Sequence, residues 1–503
     1  MNWFQRPVGR NRLRSGRRPR LECLEHRLCP STNYMLENGT LLILGGRNDD
    51  VITIRDNGGG NVAVQFEESQ PQSFMGVHRI IARTGDGDDR INYLTGNPDT
   101  ADALFQLGDG SDTWIGDVDF LSDPDDKIAL PNFEQRKQKL HVIGGRGDDR
   151  LSTMLRSRPE RAVDYRFDTG EGNDFLTIDW RQGEGEVPID SVGRVVMAVA
   201  MGRGNDSSDL EWSLGETQCV DFRADLGSGD DSCKALLIPV EQVHPGPPPV
   251  GRFPATFNVL GGTGADEIRF IGEGGRIPEG GVLNLNAQGG NGADVVSADH
   301  RDLEIDGHVN TSLKGGIGDD IAKATFQGVT VNGTLRTTLE GQDGADHIGF
   351  NAAWHVNAGA YTEVNLLGGH GIDEVAGFTQ NHIAVGAMSV VNIDGGEDDD
   401  VLGFHYENAL VNGEFRIVAN GSAGRDQIGI WIDIDTESRG RVAAKLLGGA
   451  GEDELGLTIG AISDPEDFLM LLDGGAGRDR AGVTRNVLSS ARFRSVEEVV
   501  VIE

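Results

Sequence analysis

The chain has 503 residues, of which 80 are Asp or Glu and 45 are Lys or Arg, leaving a formal net charge of −35 at pH 7. So negative a surface repels phosphate and excludes nucleic acid as a partner, and no apolar run approaches the roughly 18 residues of a membrane-spanning helix. Glycine contributes 73 residues, about twice its ordinary share, while Val, Ile and Leu recur in short regular runs, which argues against disorder. The composition therefore predicts an acidic repeat protein.

Residues 1–31 form a basic segment unlike the rest of the chain. Residues 1–30 contain eight arginines against two glutamates, and they lack the apolar core of an ordinary secretory signal peptide. The stretch RPRLECLEHR at 18–27, followed by Pro30 and Ser31, resembles the Leu-Glu-x-Leu-Glu-x-Arg segment that opens many large exported and surface proteins of planctomycete bacteria. This resemblance implies export, and we expect residues 1–31 to be a disordered export or sorting segment.

The motif Gly-Gly-x-Gly-x-Asp recurs along the rest of the chain, intact or in looser copies. From Asp266 onward the motif aspartates are 26–28 residues apart, and before Asp266 the steps range from 23 to 39 residues. The sixteen copies end at Asp50, Asp89, Asp112, Asp149, Asp174, Asp206, Asp231, Asp266, Asp294, Asp320, Asp346, Asp373, Asp400, Asp426, Asp453 and Asp479. So regular a step indicates one repeated structural unit, with loop insertions in the first half.

Apolar residues alternate with period two on both sides of each motif aspartate. Phe257 and Val259 precede Asp266 in this pattern, and Ile268 and Phe270 follow it. Period-two alternation is the signature of a β-strand. Each unit is therefore predicted to be a strand, a glycine-rich turn and a second strand, followed by a variable stretch.

A unit of about 26 residues with two or three short strands cannot bury its apolar face alone, but stacked copies can. A β-propeller blade needs four strands and about 40 residues, so the unit is too short for one, and we prefer a solenoid to a β-sandwich. We predict an all-β parallel β-solenoid, or β-helix, of about 16 coils with roughly 26 residues each. We divide it into an irregular half at 32–240, a proline-rich loop at 241–254 and a regular half at 255–503; whether the loop separates two solenoids or interrupts one stays open.

Stacking would place the motif aspartates in one column. Equivalent positions on neighbouring coils lie about 4.8 Å apart, and two carboxylates at that distance repel by about 3 kcal/mol at an effective dielectric constant near 20. Protonation would relieve the repulsion, and so would a cation held between the coils. Carboxylate and carbonyl oxygens favour Ca²⁺ over zinc or copper.

The segments GGTGADEIR at 261–269 and GGHGIDEVA at 368–376 resemble the nonapeptide GGxGxDxUx of the haemolysin-type, or repeats-in-toxin, calcium-binding family. In that family the sixth-position aspartate and turn carbonyls bind Ca²⁺ between loops one coil apart. The resemblance implies a Ca²⁺ cofactor held by the sixteen motif aspartates. The carboxylates just before some of them are expected to assist: Asp49, Asp88, Asp148, Asp230, Asp319 and Asp399. Family members usually carry two motifs per coil, whereas this chain has one, so we expect a single row of ions.

Other residues leave alternatives open. His355 and His382 each follow a motif aspartate by nine residues and are expected to stack, either as surface residues or as a two-histidine metal site. Cys219 and Cys233 could form a disulfide or remain two buried thiols.

The chain has no GxSxG, P-loop or HExxH motif, so we expect no catalytic residues and no enzyme activity. We expect an extracellular or cell-surface protein with a structural or adhesive role. Its expected partners are calcium ions and cell-surface polysaccharide or other surface proteins. The alternative is a carbohydrate-active parallel β-helix enzyme, a polysaccharide lyase or hydrolase.

Overall fold

The protein is an all-β parallel solenoid, which confirms the predicted fold class. The computed structural model describes residues 33–96, 102–119, 138–157, 162–182, 194–214, 219–239, 254–460 and 468–502. The predicted segment 1–31 and nearly all of the predicted loop 241–254 lie outside these residues. Among the described residues, no helix has both the length and the apolar character needed to cross a membrane.

The strands of successive coils hydrogen-bond side by side into two long sheets. The front sheet contains the strands that lead into the motif turns, and the back sheet contains those that leave them. The front-sheet strands are Asn33–Glu37, Thr40–Leu44, Arg79–Asp86, Asp102–Asp109, Gln138–Arg146, Val163–Glu171, Arg194–Ala200, Cys219–Ser228, Pro254–Thr263, Val282–Asn291, His308–Ile317, Thr334–Asp343, Tyr361–His370, Met388–Glu397, Glu414–Ala423, Arg441–Ala450, Phe468–Ala476 and Ala491–Arg494. The back-sheet strands are Val51–Asp56, Val62–Phe66, Gln72–Phe74, Arg90–Gly96, Thr113–Asp119, Arg150–Ser157, Phe175–Gln182, Ser207–Leu214, Ser232–Pro239, Glu267–Glu273, Arg276–Ile277, Val295–Arg301, Glu304–Ile305, Ile321–Val331, His347–Val356, Glu374–Ile383, Val401–Val411, Gln427–Ile434, Glu454–Ile459, Arg480–Thr484 and Glu498–Ile502.

The regular repeat comprises about 13 turns spaced about 27 residues apart, so the predicted 16 coils are slightly too many. The motif count overestimates the regular repeat because the first half contains insertions. Between Asp50 and Asp89, for example, the strand Val51–Asp56 turns back and pairs antiparallel with Val62–Phe66. Such a hairpin lengthens the chain between two motif turns without adding another regular turn.

The core is a continuous column of inward-facing apolar side chains between the two sheets. Buried and more exposed residues alternate along the strands, as the period-two pattern predicts. In the first half the column contains large rings: Trp180 stacks on Trp212 with 5.5 Å between ring centroids, and Trp212 contacts Phe257 edge-on at 5.4 Å. Burying one large apolar side chain contributes about 1.5–3 kcal/mol, so the stability grows with every stacked coil.

Both ends of the stack depart from the parallel pattern. At the N-terminal end, Asn33–Glu37 pairs antiparallel with Thr40–Leu44. At the C-terminal end, the single described helix, Arg485–Leu488, buries Val487 against the last coil. These elements cover apolar core that would otherwise face water at the ends of the stack.

The two halves of the chain stack on one another. Cys219–Ser228 pairs in parallel with Pro254–Thr263, and Ser232–Pro239 pairs with Glu267–Glu273, so the strands flanking residues 240–253 are direct neighbours. Both described cysteines are free thiols, with Cys233 buried and Cys219 partly exposed.

Candidate functional site

The sheet registers bring all sixteen motif aspartates into one column, at the corner where each front-sheet strand passes into the back sheet. None of these side chains is more than 3% exposed. The backbone carbonyl of each of the first fifteen aspartates accepts a hydrogen bond from the next coil. The donor is the backbone N–H of the residue that follows the next motif aspartate, as from Val295 to Asp266 at 2.8 Å. The column is therefore part of the inter-coil hydrogen-bond network.

One oxygen of each carboxylate from Asp89 to Asp479 joins neighbouring coils. The backbone N–H of Asp294 donates to Oδ1 of Asp320 at 2.7 Å, and the N–H of Asp320 donates to Oδ1 of Asp346 at 2.8 Å. The same bond joins every adjacent pair in the column, with N···O distances of 2.7–3.0 Å. We call this row the inner ladder.

A second row of hydrogen bonds runs in the opposite sense just outside the first. The exposed Asp319 accepts the N–H of Ala345, one coil later, through its Oδ1 at 3.0 Å. Asn173 and Asn205 form the same bonds at 2.9 and 3.0 Å, so neutral amides substitute for carboxylates in this row, the outer ladder. The six predicted assisting residues all accept such a bond: Asp49, Asp88, Asp148, Asp230, Asp319 and Asp399.

Glu497 completes the inner ladder although it belongs to no motif copy. Its Oε2 accepts the backbone N–H of Asp479 at 2.7 Å, which is the bond that a further motif aspartate would make. The longer glutamate side chain reaches this N–H from a segment that lacks the glycine turn. Sequence reasoning missed Glu497, whose only signal was an acidic residue 18 positions after the last motif aspartate.

Among the described residues, the second carboxylate oxygen of the column has no hydrogen-bond partner in fifteen of the sixteen aspartates. These Oδ2 atoms, from Asp89 to Asp479, are buried and accept no hydrogen bond, whereas Oδ2 of Asp50 accepts the N–H of Gly46 at 2.7 Å. A buried polar atom without a partner costs about 1–3 kcal/mol, and more when it is charged. Protons or bound cations would offset this cost along the row of fifteen atoms.

The burial shifts the acidity of the column. Loss of hydration, together with repulsion from neighbouring carboxylates, raises the pKa of Asp112 and Asp320 to about 7 and that of Asp149 to about 8. Burial is the largest cause of a raised pKa at all fourteen aspartates between Asp50 and Asp479. The inner-ladder hydrogen bonds lower these pKa values but do not compensate for the burial.

The glycines of the motif leave room for this arrangement. Gly264 has φ +133°, and a Cβ there would lie 1.7 Å from the carbonyl oxygen of Gly229 on the preceding coil. A Cβ on Gly315 would lie 2.5 Å from Oδ2 of Asp320 and 2.8 Å from the carbonyl oxygen of Gly341. The unpartnered Oδ2 and a turn carbonyl of the next coil therefore both face the Cα of the first glycine.

The donor set fits a hard cation in chemical type. It consists of carboxylate and carbonyl oxygens, the ligands that Ca²⁺ prefers. Across the described parts of the chain, no three His, Cys, Asp or Glu side chains converge at a point that could hold a metal ion. A cation at the column would therefore need turn carbonyls to complete its coordination.

The predicted histidine pair is also aligned. His355 faces His382 across neighbouring coils, with ring centroids 6.2 Å apart. His355 is exposed at the surface. No described carboxylate or thiol joins the two rings in a metal-ligand cluster.

Comparison with known proteins assigns no family to this chain. No family model matches it, and no curated protein shows significant similarity to it.

Proposed function

We propose that this protein is an exported calcium-binding β-solenoid with a structural or adhesive role at the cell surface and no catalytic activity. The observation that carries the proposal is the row of fifteen buried Oδ2 atoms without a protein partner. At several turns this oxygen and a turn carbonyl of the next coil lie within 3 Å of the same Cβ position, as at Gly315, Gly368 and Gly448. Such a row suits cations better than it suits the protein alone.

The residues that would hold the ions are the sixteen motif aspartates, fifteen of them through Oδ2, with turn carbonyls such as those of Gly289 and Gly341. Bound Ca²⁺ would supply positive charge that neutralises the column. The chain itself supplies the inner ladder, which holds each carboxylate from Asp89 to Asp479 in place through Oδ1 and leaves its Oδ2 free to bind. The six assisting carboxylates already accept outer-ladder bonds and remain proposed as secondary contributors.

The resemblance of the turns to haemolysin-type repeats supports the calcium assignment, and the solenoid is compatible with stacking of that kind. The export and surface placement rest on the basic segment 1–31 and its resemblance to planctomycete sorting segments. Extracellular calcium suits weak sites with dissociation constants of roughly 10⁻⁴–10⁻³ M. Below such concentrations the column would remain uncompensated.

Titration calorimetry tests the proposal on the full chain after chelation, with Ca²⁺ as titrant and Mg²⁺ as the competing cation. We expect millimolar Ca²⁺ to bind and to raise the melting temperature. The triple variant Asp294→Asn, Asp320→Asn and Asp346→Asn should lose sites, because asparagine keeps the Oδ1 acceptor but replaces Oδ2 with an amide donor. The matched control, Glu437→Gln at an exposed carboxylate outside both ladders, should bind as much Ca²⁺ as the wild type. Wild-type protein that gives no heat and no thermal shift would rule out the calcium role.

A further inference from the structure

The outer face of the back sheet carries a trough whose floor has almost no side chains. Four outward-facing residues on successive coils form this floor, and each pairs in register with the next: Ala376, Gly403, Gly429 and Gly456. A Cβ on Gly403 or Gly429 would meet no atom within 4 Å. No described residue covers the floor at these two positions, so it is open to a ligand there, and no backbone constraint demands glycine.

The trough is closed at both ends. The side chain of Lys323 lies over Gly349 on the N-terminal side, 3.4 Å from the position a Cβ there would take. Ile502 lies over Gly482 on the C-terminal side, where Cδ1 is 2.9 Å from the equivalent point. Between these ends the floor spans about 14 Å, since its four residues are separated by three coil steps of about 4.8 Å. The part toward the C-terminal end is an open depression with a volume of about 480 Å³.

One rim of the trough is a row of aromatic rings. Phe378, His405 and Trp431 occupy the same outward position on three successive coils. The ring centroids of Phe378 and His405 are 5.4 Å apart, and those of His405 and Trp431 are 5.0 Å apart with a 31° angle between planes. Trp431 is 55% exposed, so the row presents aromatic surface to solvent in place of burying it.

The opposite rim is mixed and mostly polar. It contains Glu374, Val401, Gln427 and Glu454 in register, followed by Arg480. Arg480 and Glu454 are paired at 3.5 Å. Four of these five residues can therefore hydrogen-bond to a ligand, across the floor from the aromatic rim.

We propose that this trough binds a linear, uncharged polysaccharide lying along the solenoid axis. A sugar ring presents an apolar C–H face, which packs on the negative face of an aromatic ring, and an edge of hydroxyls, which the polar rim can hydrogen-bond. A concave site with an apolar wall and a few polar groups is the usual form of a small-ligand site. The coil-to-coil repetition of floor and rims matches a ligand that is itself a repeating polymer.

The net charge of the chain argues against two other occupants of the trough, a second copy of this chain and an anionic polysaccharide. A second copy of this chain would bring another net charge of −35 toward the first, and an anionic polysaccharide would be repelled in the same way. An uncharged glycan avoids this repulsion. The inference gives the adhesive role proposed above a ligand class, but it rests on residues outside the aspartate column, so either can fail without the other.

Fluorescence titration of the full chain tests the proposal, with hexasaccharides of β-1,4-linked glucose, β-1,4-linked xylose and α-1,4-linked glucose as probes, in excess Ca²⁺ and after chelation. Trp431 is the exposed reporter, because the four other described tryptophans are at most 2% exposed. We expect at least one probe to change the emission and to protect Trp431 from iodide quenching. An oligogalacturonate of the same length should bind more weakly.

Two variants with matched controls make the test specific. Gly429→Val should fold, since valine suits an open strand position, but the new side chain should fill the trough and weaken binding at least tenfold. The control Gly96→Val, at another open back-sheet position, should leave binding unchanged. Trp431→Ala should weaken binding by a similar factor when followed by calorimetry, while Trp431→Phe retains most of it. Leu469→Ala, which changes a side chain 68% exposed on the front sheet, should leave binding unchanged.

Binding of no probe at millimolar concentration would overturn the proposal, and so would undiminished binding to Gly429→Val. Concentration-dependent dimers that Gly429→Val abolishes would overturn it as well, because they would identify a second copy as the occupant.

Discussion

Replacing Asp320 by asparagine separates the two tasks that the structure gives to a column aspartate. Oδ1 of Asp320 accepts the N–H of Asp294 at 2.7 Å, and its Oδ2 is buried without a partner. Asparagine keeps the Oδ1 acceptor, removes the charge and turns an NH₂ donor toward the carbonyl of Gly341. Asp320→Asn should therefore preserve the inner ladder while relieving the strain on Oδ2.

The size of the stabilisation expected from Asp320→Asn follows from the pKa of the Asp320 carboxyl group. Burial raises the pKa of Asp320 from 3.8 to about 7, and each pKa unit corresponds to about 1.36 kcal/mol. The ionised carboxylate at pH 8 in the absence of calcium thus costs up to roughly 4 kcal/mol relative to an unfolded chain. Asp320→Asn should stabilise the calcium-free protein by about 1–4 kcal/mol at pH 8 and by almost nothing at pH 4. In saturating calcium the sign should reverse, because the variant loses a ligand.

Native-state amide hydrogen exchange is the suitable assay, since long repeat arrays depart from two-state unfolding and a global free energy is poorly defined. The free energy of opening at the Asp294 amide reports directly on the bond to residue 320. Asp320→Ala serves as the contrast: it leaves the Asp294 N–H without an acceptor and should lower the opening free energy by about 1–3 kcal/mol. If Asp320→Asn in chelator proves as destabilising as Asp320→Ala, then the unpartnered Oδ2 of Asp320 does not destabilise the calcium-free protein, and the reasoning is wrong.

Protonation of the column, the Glu497 cap and the backbone of one turn each give a further test. In chelator, the melting temperature should fall as the pH rises from about 5 to 8, because the fourteen aspartates with raised pKa retain protons in the folded state that the unfolded chain releases near pH 4. Millimolar calcium at pH 8 should restore the melting temperature. A melting temperature that rises between pH 5 and 8 would contradict this prediction. Glu497→Ala should speed amide exchange at Asp479 while Glu497→Gln should not, since only alanine removes the acceptor of the last hydrogen bond in the ladder. Equal exchange in both variants would show that the Glu497 side chain does not protect the Asp479 amide. Gln342→Gly should stabilise the protein by about 1 kcal/mol, since Gln342 occupies the left-handed region with φ +88°. The control Gln288→Gly, in an ordinary strand of the front sheet, should destabilise the protein instead. A loss of stability in both variants would count against backbone strain at Gln342.

The fold could be predicted because two sequence signals agree. Alternation such as Phe257, Val259, Ile268 and Phe270 specifies which side chains face inward. The step of 26–28 residues between motif aspartates from Asp266 onward specifies that the units stack. Those two signals suffice to place the aspartates in a column. They do not count regular coils, since an insertion such as the hairpin after Val51–Asp56 lengthens the chain between motif turns.

The direction of the two ladders could not be read from the sequence. Asp319 and Asp320 are neighbours in the chain, yet Asp319 accepts an N–H from the following coil and Asp320 from the preceding one. That difference arises from which way each side chain points at the corner, and no residue pattern encodes it. The glycine trough did have a signal, since Gly403, Gly429 and Gly456 each follow a motif aspartate by three residues, but its meaning depends on knowing that this position faces outward.

The contrast between the ladders bears on whether the charge of the column has a function. The outer ladder is interrupted where alanine takes the position, as at Ala265, Ala293 and Ala345. Where it forms, Asn173 and Asn205 replace aspartate without loss of the hydrogen bond, so this exposed bond needs an acceptor but no charge. The inner row has the same requirement at Oδ1 and a far larger cost for negative charge, yet every one of its sixteen motif turns carries aspartate and its last position carries Glu497. If the hydrogen bond were the only need, asparagine would serve better in the buried row than in the exposed one. The opposite distribution is what a row of cation ligands would require.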